Sequence, residues 1–444
     1  MLVMHQKDSS ENLDTPLVDL LLSLGQIMLD NGATGHYANE AILKLNKYLK
    51  GPEVRIVINY ASIIITTVED RQFFTVLNKS KGLDMPNVSA ISNINHFLSE
   101  LPKLTQPPIN KFEWIKEQIV SIANQHYYKY SLILGAIAGI AVSAIGFIFG
   151  ANYADIAVMF IASLISFILN QKLIIHGINL SVATFFTVIV TGLIASAGAC
   201  LIISPTPLVT VITPIIPMIP AFPFIIGCTD ILQNNNMLGL GRICSAIATL
   251  FSIAIALVVV MLAVPRFDVN AVPAQLFSPA LISIFIECLL FGVATAGIGI
   301  LFNAPCRSLL LFAFGGGLAC FIKDVCIIYF ALPFASACFW GILVITIIAM
   351  KLEEYSITLN TPYLRAPAIP LVVIVSMTMF PGPLLIFGLD GLASIAKQTT
   401  ATLSSDLIKE TLLYFLKAAA TILGILLGIL LPLLMIKGDQ SQKK

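Results

Sequence analysis

Ten apolar runs of close to 20 residues recur along this chain, at about Lys129–Phe149, Tyr153–Leu169, Ile178–Ile203, Leu208–Cys228, Leu238–Val264, Phe277–Phe302, Ser308–Phe330, Pro333–Met350, Ala366–Leu389 and Thr411–Ile436. A helix rises about 1.5 Å per residue, so each run is about the length that crosses roughly 30 Å of hydrocarbon. Backbone amides in hydrocarbon have no water to bond, which leaves the α-helix as the natural form of such runs. The composition agrees: 57% of the 444 residues are hydrophobic and 11% are charged, against about 25% charged in a soluble domain. A net charge of +1 gives no basis for a nucleic-acid partner. The expected partners are the lipid bilayer, a small-molecule substrate and protons, with association of several copies an open expectation.

Residues 1–109 read differently. Leu17, Leu20, Leu21, Leu24, Ile27 and Met28 recur at three- and four-residue spacing from Asp14 to Asp30, ahead of an Asn31-Gly32 stop, which predicts an amphipathic helix. A second helix is expected from Tyr37 to Leu49, strands at Val54–Asn59, Ser62–Val68 and Gln72–Leu77, and a helix near Val88–Leu98. These make a small α/β domain that closes on a proline-rich linker from Leu101 to Pro108. In residues 110–128, Phe112, Ile115, Ile119 and Ile122 form one stripe beside Trp114, the pattern of a helix lying on a membrane surface. No basic segment followed by an apolar core opens the chain, so the N-terminus is expected to stay in the cytoplasm. Ten spans return the C-terminus to the same side. Lys172, Arg242, Arg307, Lys351, Arg365, Lys437, Lys443 and Lys444 then fall on that side, with Arg266, Lys397 and Lys409 opposite, as the positive-inside bias requires.

The spans divide into blocks at 129–264 and 277–436. In the fourth span of each, Pro220 and Pro223 precede Gly227, and Pro381-Gly382-Pro383 precedes Gly388. The glycine falls seven residues after the first proline in both. Five spans per block is an odd number, which places the two blocks in opposite orientation, as in transporters built from inverted-topology repeats. Proline inside a helix removes a donor and clashes with the preceding turn. Such breaks are tolerated at membrane depth where they are buried or line a wet cavity. Pro220, Pro223, Gly227, Pro381, Gly382 and Gly388 are therefore candidates to hold a substrate carboxylate on freed amides, with Asp230 placed for an ammonium group.

Among charges in the apolar runs, Glu287 lies deepest, between Leu281–Ile286 and Cys288–Phe291. Its carboxylate must find a partner, water or a proton. It is the candidate for proton coupling, with Asp324 as a second; an inter-helix hydrogen bond of purely structural value is the competing reading. The adjacent Lys323 and Asp324 fit either an outer vestibule or a short loop. Eight cysteines and five histidines show no C-x-x-C and no paired histidines, so neither a metal nor another cofactor is expected and the thiols read as core residues. No nucleophile, base and orienting acid can be assembled, and an enzyme is not expected.

Leu24-Gly25, Leu29-Asp30-Asn31-Gly32-Ala33, the proline-rich fourth span, Leu301-Phe302-Asn303-Ala304-Pro305 and Pro367-Ala368-Ile369-Pro370 together resemble the threonine/serine exporter family. The resemblance runs from about Asp14 to Ile436, and is to the fused form in which a soluble domain and five spans continue into five more. It implies a bacterial inner-membrane exporter of small hydroxy amino acids, driven by the proton gradient. Some two-protein relatives are associated with dicarboxylates, so a succinate-like substrate is the alternative. A channel fits less well, since no ring of charge or carbonyl filter motif is evident.

Overall fold

The computed structural model describes residues 14–60, 62–69, 72–79, 86–103, 110–128, 130–264, 281–359, 368–397 and 404–441. Two compact units emerge. The first comprises residues 1–127, 223–245 and 302–305; the second comprises 128–222, 246–301 and 306–444.

The first unit is built on α1 (Asp14–Asp30) and α2 (Gly35–Leu49), followed by β1 (Glu53–Ile58), β2 (Ser62–Glu69) and β3 (Gln72–Lys79) in an antiparallel sheet of order β1-β2-β3. Ile56 faces Ile65, and Ile65 faces Val76 in turn. The alternation buries Ile63, Ile65 and Val76 on one face, and α1 covers it. Thr34 caps α2 by accepting from the Tyr37 amide, and Lys50 ends it in the left-handed conformation. Then come α3 (Val88–Glu100), a short 3-10 turn, and α4 (Lys111–Ala123).

The stripe on α4, expected on a membrane surface, packs into a protein core. Ile115 and Ile119 are fully buried, and Phe112, Trp114 and Ile122 pack on the same core as Leu20, Leu24 and Ile91. An apolar stripe is satisfied equally by a bilayer and by a protein core, and here α1 and α3 supply the core. The compact unit accordingly extends past residue 109. Most of the expected linker, residues 104–109, lies outside the described residues.

The second unit is helical. Continuous helices α5 (Ser131–Ile148), α6 (Tyr153–Ile175) and α7 (Leu180–Leu201) are followed by an interrupted element and by α10 (Asn236–Ala263), which starts in the first unit. The interrupted element is α8 (Pro207–Ile212), a 3-10 stretch Thr213–Met218, and α9 (Ala221–Leu232). The order then repeats: α11 (Leu281–Leu301), α12 (Leu309–Phe330) and α13 (Phe334–Leu359) are continuous, α14 (Ala368–Met379) and α15 (Gly382–Lys397) are separated by a break, and α16 (Ser405–Ser441) is continuous.

Eight of the described helices are long and apolar enough to cross a membrane, and a ninth arises if the pair Pro207–Met218 and Ala221–Leu232, bent by 49°, is one span. The chain is a polytopic helical membrane protein, and eight or nine of the expected ten spans are found among the described residues. Ala368–Met379 has 12 residues, about 18 Å of helix, which falls short of the hydrocarbon thickness.

Candidate functional site

The expected substrate residues separate into two groups. At the first break Ile219 is extended (φ −68°, ψ 125°), and α9 starts directly after Pro220, with Pro223 in its first turn. At the second, the Gly382 amide donates to the Phe380 carbonyl at 2.7 Å, and α15 starts directly after Pro381. Proline suits a first helical turn because the amide it lacks would have no intrahelical partner there. The breaks touch: a Cβ added to Gly382 would stand 2.7 Å from Ile219 Cδ1. A side chain at position 382 would have to displace the tip of Ile219.

Gly227 and Gly388 serve another purpose. A Cβ on Gly227 would meet the Gly239 carbonyl of α10 at 2.9 Å, and one on Gly388 would meet the Phe415 ring of α16 at 3.0 Å. Each glycine seats the second half of an interrupted element against the following long helix, so both are packing positions rather than lining of the breaks.

Asp230 is also placed elsewhere than expected. It belongs to the first unit, fully buried, with the Arg242 guanidinium donating to Oδ2. The Gly35 amide donates to Oδ1 at 2.8 Å, and Arg242 also donates to the Ala33 carbonyl at 2.8 Å. The charge is matched by one partner, and the α1–α2 loop completes the shell. Asp230 thus carries a buried structural ion pair in place of a free carboxylate for a substrate ammonium. Arg242, counted from the sequence among the cations on the cytoplasmic side, is 2% exposed.

The same unit holds a second polar junction. Asn303, in the left-handed conformation at φ 55°, places Nδ2 2.8 Å from Asn87 Oδ1 and 3.0 Å from both Ser89 Oγ and the Gln125 carbonyl. Its Oδ1 accepts the Tyr127 amide at 2.8 Å, and the Val88 amide donates to the Phe302 carbonyl at 3.0 Å.

Glu287 and Asp324 do come together, through a residue not proposed for the site. Lys323 Nζ lies 2.8 Å from Glu287 Oε1 and 2.8 Å from Asp324 Oδ1. It also lies 5.1 Å from the Phe291 ring centroid. Asp324 is fully buried, and Lys323 is 6% exposed. The pair of residues therefore belongs to the helix interior, and both the loop and the vestibule readings fall. Adjacent residues can share one cluster because the long Lys323 side chain folds back toward its neighbour's carboxylate. Two thiols join them. Cys320, one turn before Asp324, places Sγ 3.5 Å from Asp324 Oδ2 and 3.8 Å from Glu287 Oε1. Sγ atoms of Cys288 and Cys320 and an Asp324 oxygen all lie within 4.8 Å of one another.

The helix that carries Glu287 also meets the element before the second break. Thr295 of α11 has its hydroxyl 3.4 Å from that of Thr378 in α14, two residues before Phe380. Thr295 lies eight residues beyond Glu287, about 12 Å along the helix. A groove of about 750 Å³ runs along α5, α11 and α12 and reaches the cluster at Cys288, which alone among its lining residues carries a side-chain heteroatom. Its walls suit an acyl chain and offer nothing to orient a charged solute. Asp155, set aside from the sequence as a helix-end residue, forms a capping box with Asn152 and accepts from Thr206 at 3.0 Å.

Comparison with known proteins adds the following. Residues 19–264 match the family model described as "Putative threonine/serine exporter". The chain is 22% identical over 260 residues to the "Probable succinate transporter subunit YjjP" of Klebsiella aerogenes, a match that covers 58% of this chain and 95% of the relative. No solved structure matches the chain.

Proposed function

Because the chain belongs to the threonine/serine exporter family, we propose that it exports threonine and serine across the bacterial inner membrane by alternating access, driven by the proton gradient, and leaves its cargo chemically unaltered. A small dicarboxylate is the second substrate class, favoured by the likeness to the probable succinate transporter subunit. The first unit and both termini face the cytoplasm in this reading, as the distribution of lysine and arginine suggests. The two blocks act as inverted repeats, each contributing one interrupted element; the repeated order of three continuous helices, an interrupted one and a long one supports this. Substrate sits where the breaks meet at Ile219 and Gly382, with its carboxylate toward the start of α9 or α15.

The observation that carries the proton coupling is the imbalance of the cluster. Glu287 and Asp324 share one cation, Lys323. An ionised buried carboxylate without its own partner costs several kcal/mol, and binding a proton removes that cost. The excess carboxylate is thus a proton carrier, and Thr295 and Thr378 link its helix to the second break.

Counterflow in proteoliposomes tests the reading. Labelled threonine or serine should exchange, succinate should exchange less, and a neutral control should not. An imposed pH gradient should drive net flux. Exchange of succinate alone would move the assignment to the dicarboxylate class, and absence of exchange for every substrate would overturn the exporter reading.

A further inference from the structure

We propose that Cys288, Cys320, Asp324 and Glu287 form a binding site for a thiophilic divalent cation of the zinc and cadmium type, with the Lys323 ammonium holding the cation position until the metal displaces it. The geometry carries the assignment. A tetrahedral ion with bonds of about 2.3 Å to sulfur and about 2.0 Å to oxygen separates a sulfur and an oxygen ligand by about 3.5 Å. Cys320 Sγ stands 3.5 Å from Asp324 Oδ2, and Cys288 Sγ falls within the same 4.8 Å cluster. Glu287 Oε1, 3.8 Å from Cys320 Sγ, stands outside that three-residue group and would have to swing inward to supply the fourth donor.

The elements that hold the donors are rigid. Cys320 and Asp324 are spaced i, i+4 on α12, so they share one helix face, and Glu287 and Cys288 adjoin on α11. A Cβ added to Gly317 would stand 3.0 Å from the Cys288 carbonyl, which fixes the two helices at close range. Two sulfur and two carboxylate ligands suit zinc or cadmium better than magnesium or calcium, which take oxygen shells.

The charges also balance. The two carboxylates and Lys323 together carry one excess negative charge. When a divalent ion enters, the two thiols release two protons to solvent and Lys323 moves off the carboxylates, so the net charge of the cluster, Lys323 included, is unchanged. A metal held there occupies both carboxylates that the exporter reading assigns to protons, so it blocks gradient-driven flux. That last consequence rests on the exporter reading; the binding does not.

The test uses the full chain purified in detergent, with Cys200, Cys228, Cys244, Cys306, Cys326 and Cys338 replaced by serine or alanine so that only Cys288 and Cys320 remain. Cadmium should bind at one equivalent and produce the ultraviolet charge-transfer absorption of a cadmium thiolate. Cys320→Ala should abolish that band, and Asp324→Asn should weaken binding by about 10- to 100-fold or more. Each variant is compared by elution volume and thermal midpoint, and a folded Cys320→Ser protein replaces any that aggregates. Equal binding and an unchanged band in folded Cys320 variants would overturn the site. Binding without loss of gradient-driven flux would keep the site and refute its effect on transport, whereas absence of flux in the metal-free protein would count against the exporter reading alone.

Discussion

Two buried charge assemblies, one in each unit, show what a matched and an unmatched set of charges are good for. In the first unit Asp230 meets Arg242 one to one, and the backbone of Ala33 and Gly35 takes up the remaining bonding capacity. In the second, Lys323 is divided between Glu287 and Asp324. Charge in a low-dielectric interior is tolerated when paired and hydrogen-bonded, and a satisfied pair has no reason to change state. A set with one carboxylate too many has such a reason, since a proton or a metal improves it. The first assembly is suited to holding the α1–α2 loop on the start of α10; the second is suited to loading and releasing a cation. Burial alone does not distinguish the two, because Asp230 and Asp324 are equally inaccessible. Stoichiometry does.

The sharpest way to break this comparison is to unbalance the matched pair. Arg242→Ala leaves Asp230 buried and alone, and should destabilise the protein by about 3–5 kcal/mol, the cost of stranding one partner of a buried pair. Thermal unfolding in detergent measures it, and a joint Asp230→Leu, Arg242→Met replacement should recover a large part of the loss. A wild-type midpoint for Arg242→Ala would mean that the pair holds nothing.

Next in size is Gly382→Val, which drives a side chain into Ile219 at the meeting of the two breaks. Overpacking of this kind costs about 1–3 kcal/mol, and transport should fall further than stability does. Ile219→Ala should restore transport by giving the space back; failure of that rescue would separate the breaks from the substrate path. Of similar size in stability, and the smallest in transport, is Asn303→Ala, which removes the side-chain hydrogen bonds to Asn87, Ser89, Gln125 and Tyr127 for about 1–3 kcal/mol. Gradient-driven flux per folded molecule should be unchanged there, because no group of the excess-charge cluster is touched.

The sequence made much of this legible. The period of Leu17 to Met28 marks α1 from Asp14 to Asp30, and the valine, isoleucine and phenylalanine runs place three strands within about two residues. Those signals are local, and local periodicity reports which face is buried. It does not report what buries it, which is why the stripe from Phe112 to Ile122 read as a membrane-surface helix while α1 and α3 cover it. The prolines located both breaks, but their contact through Ile219 and Gly382 joins residues more than 160 positions apart and leaves no local trace. Asp230 sits close to the Pro220 break in sequence, and that proximity misled: α9 carries it away from the break and onto Arg242. One missed relation was available. Glu287 lies 16 residues before Asn303 and Cys320 lies 17 after it, so an antiparallel pair folded at that turn brings them level. Applied to the sequence, that rule would have joined Glu287, Cys320 and the adjoining Lys323 and Asp324 in one cluster.

The central claim is that the unmatched carboxylate of the second assembly carries the coupled proton, and Glu287→Gln in proteoliposomes tests it most directly. Glutamine keeps the shape and a hydrogen-bond acceptor for Lys323 while leaving Asp324 and Lys323 matched one to one, as Asp230 and Arg242 are. The variant should fold, bind substrate and sustain counterflow at close to the wild-type rate, while net export no longer responds to an imposed pH gradient. Full gradient-driven export by folded Glu287→Gln protein would contradict the claim and reduce Glu287 to a packing residue.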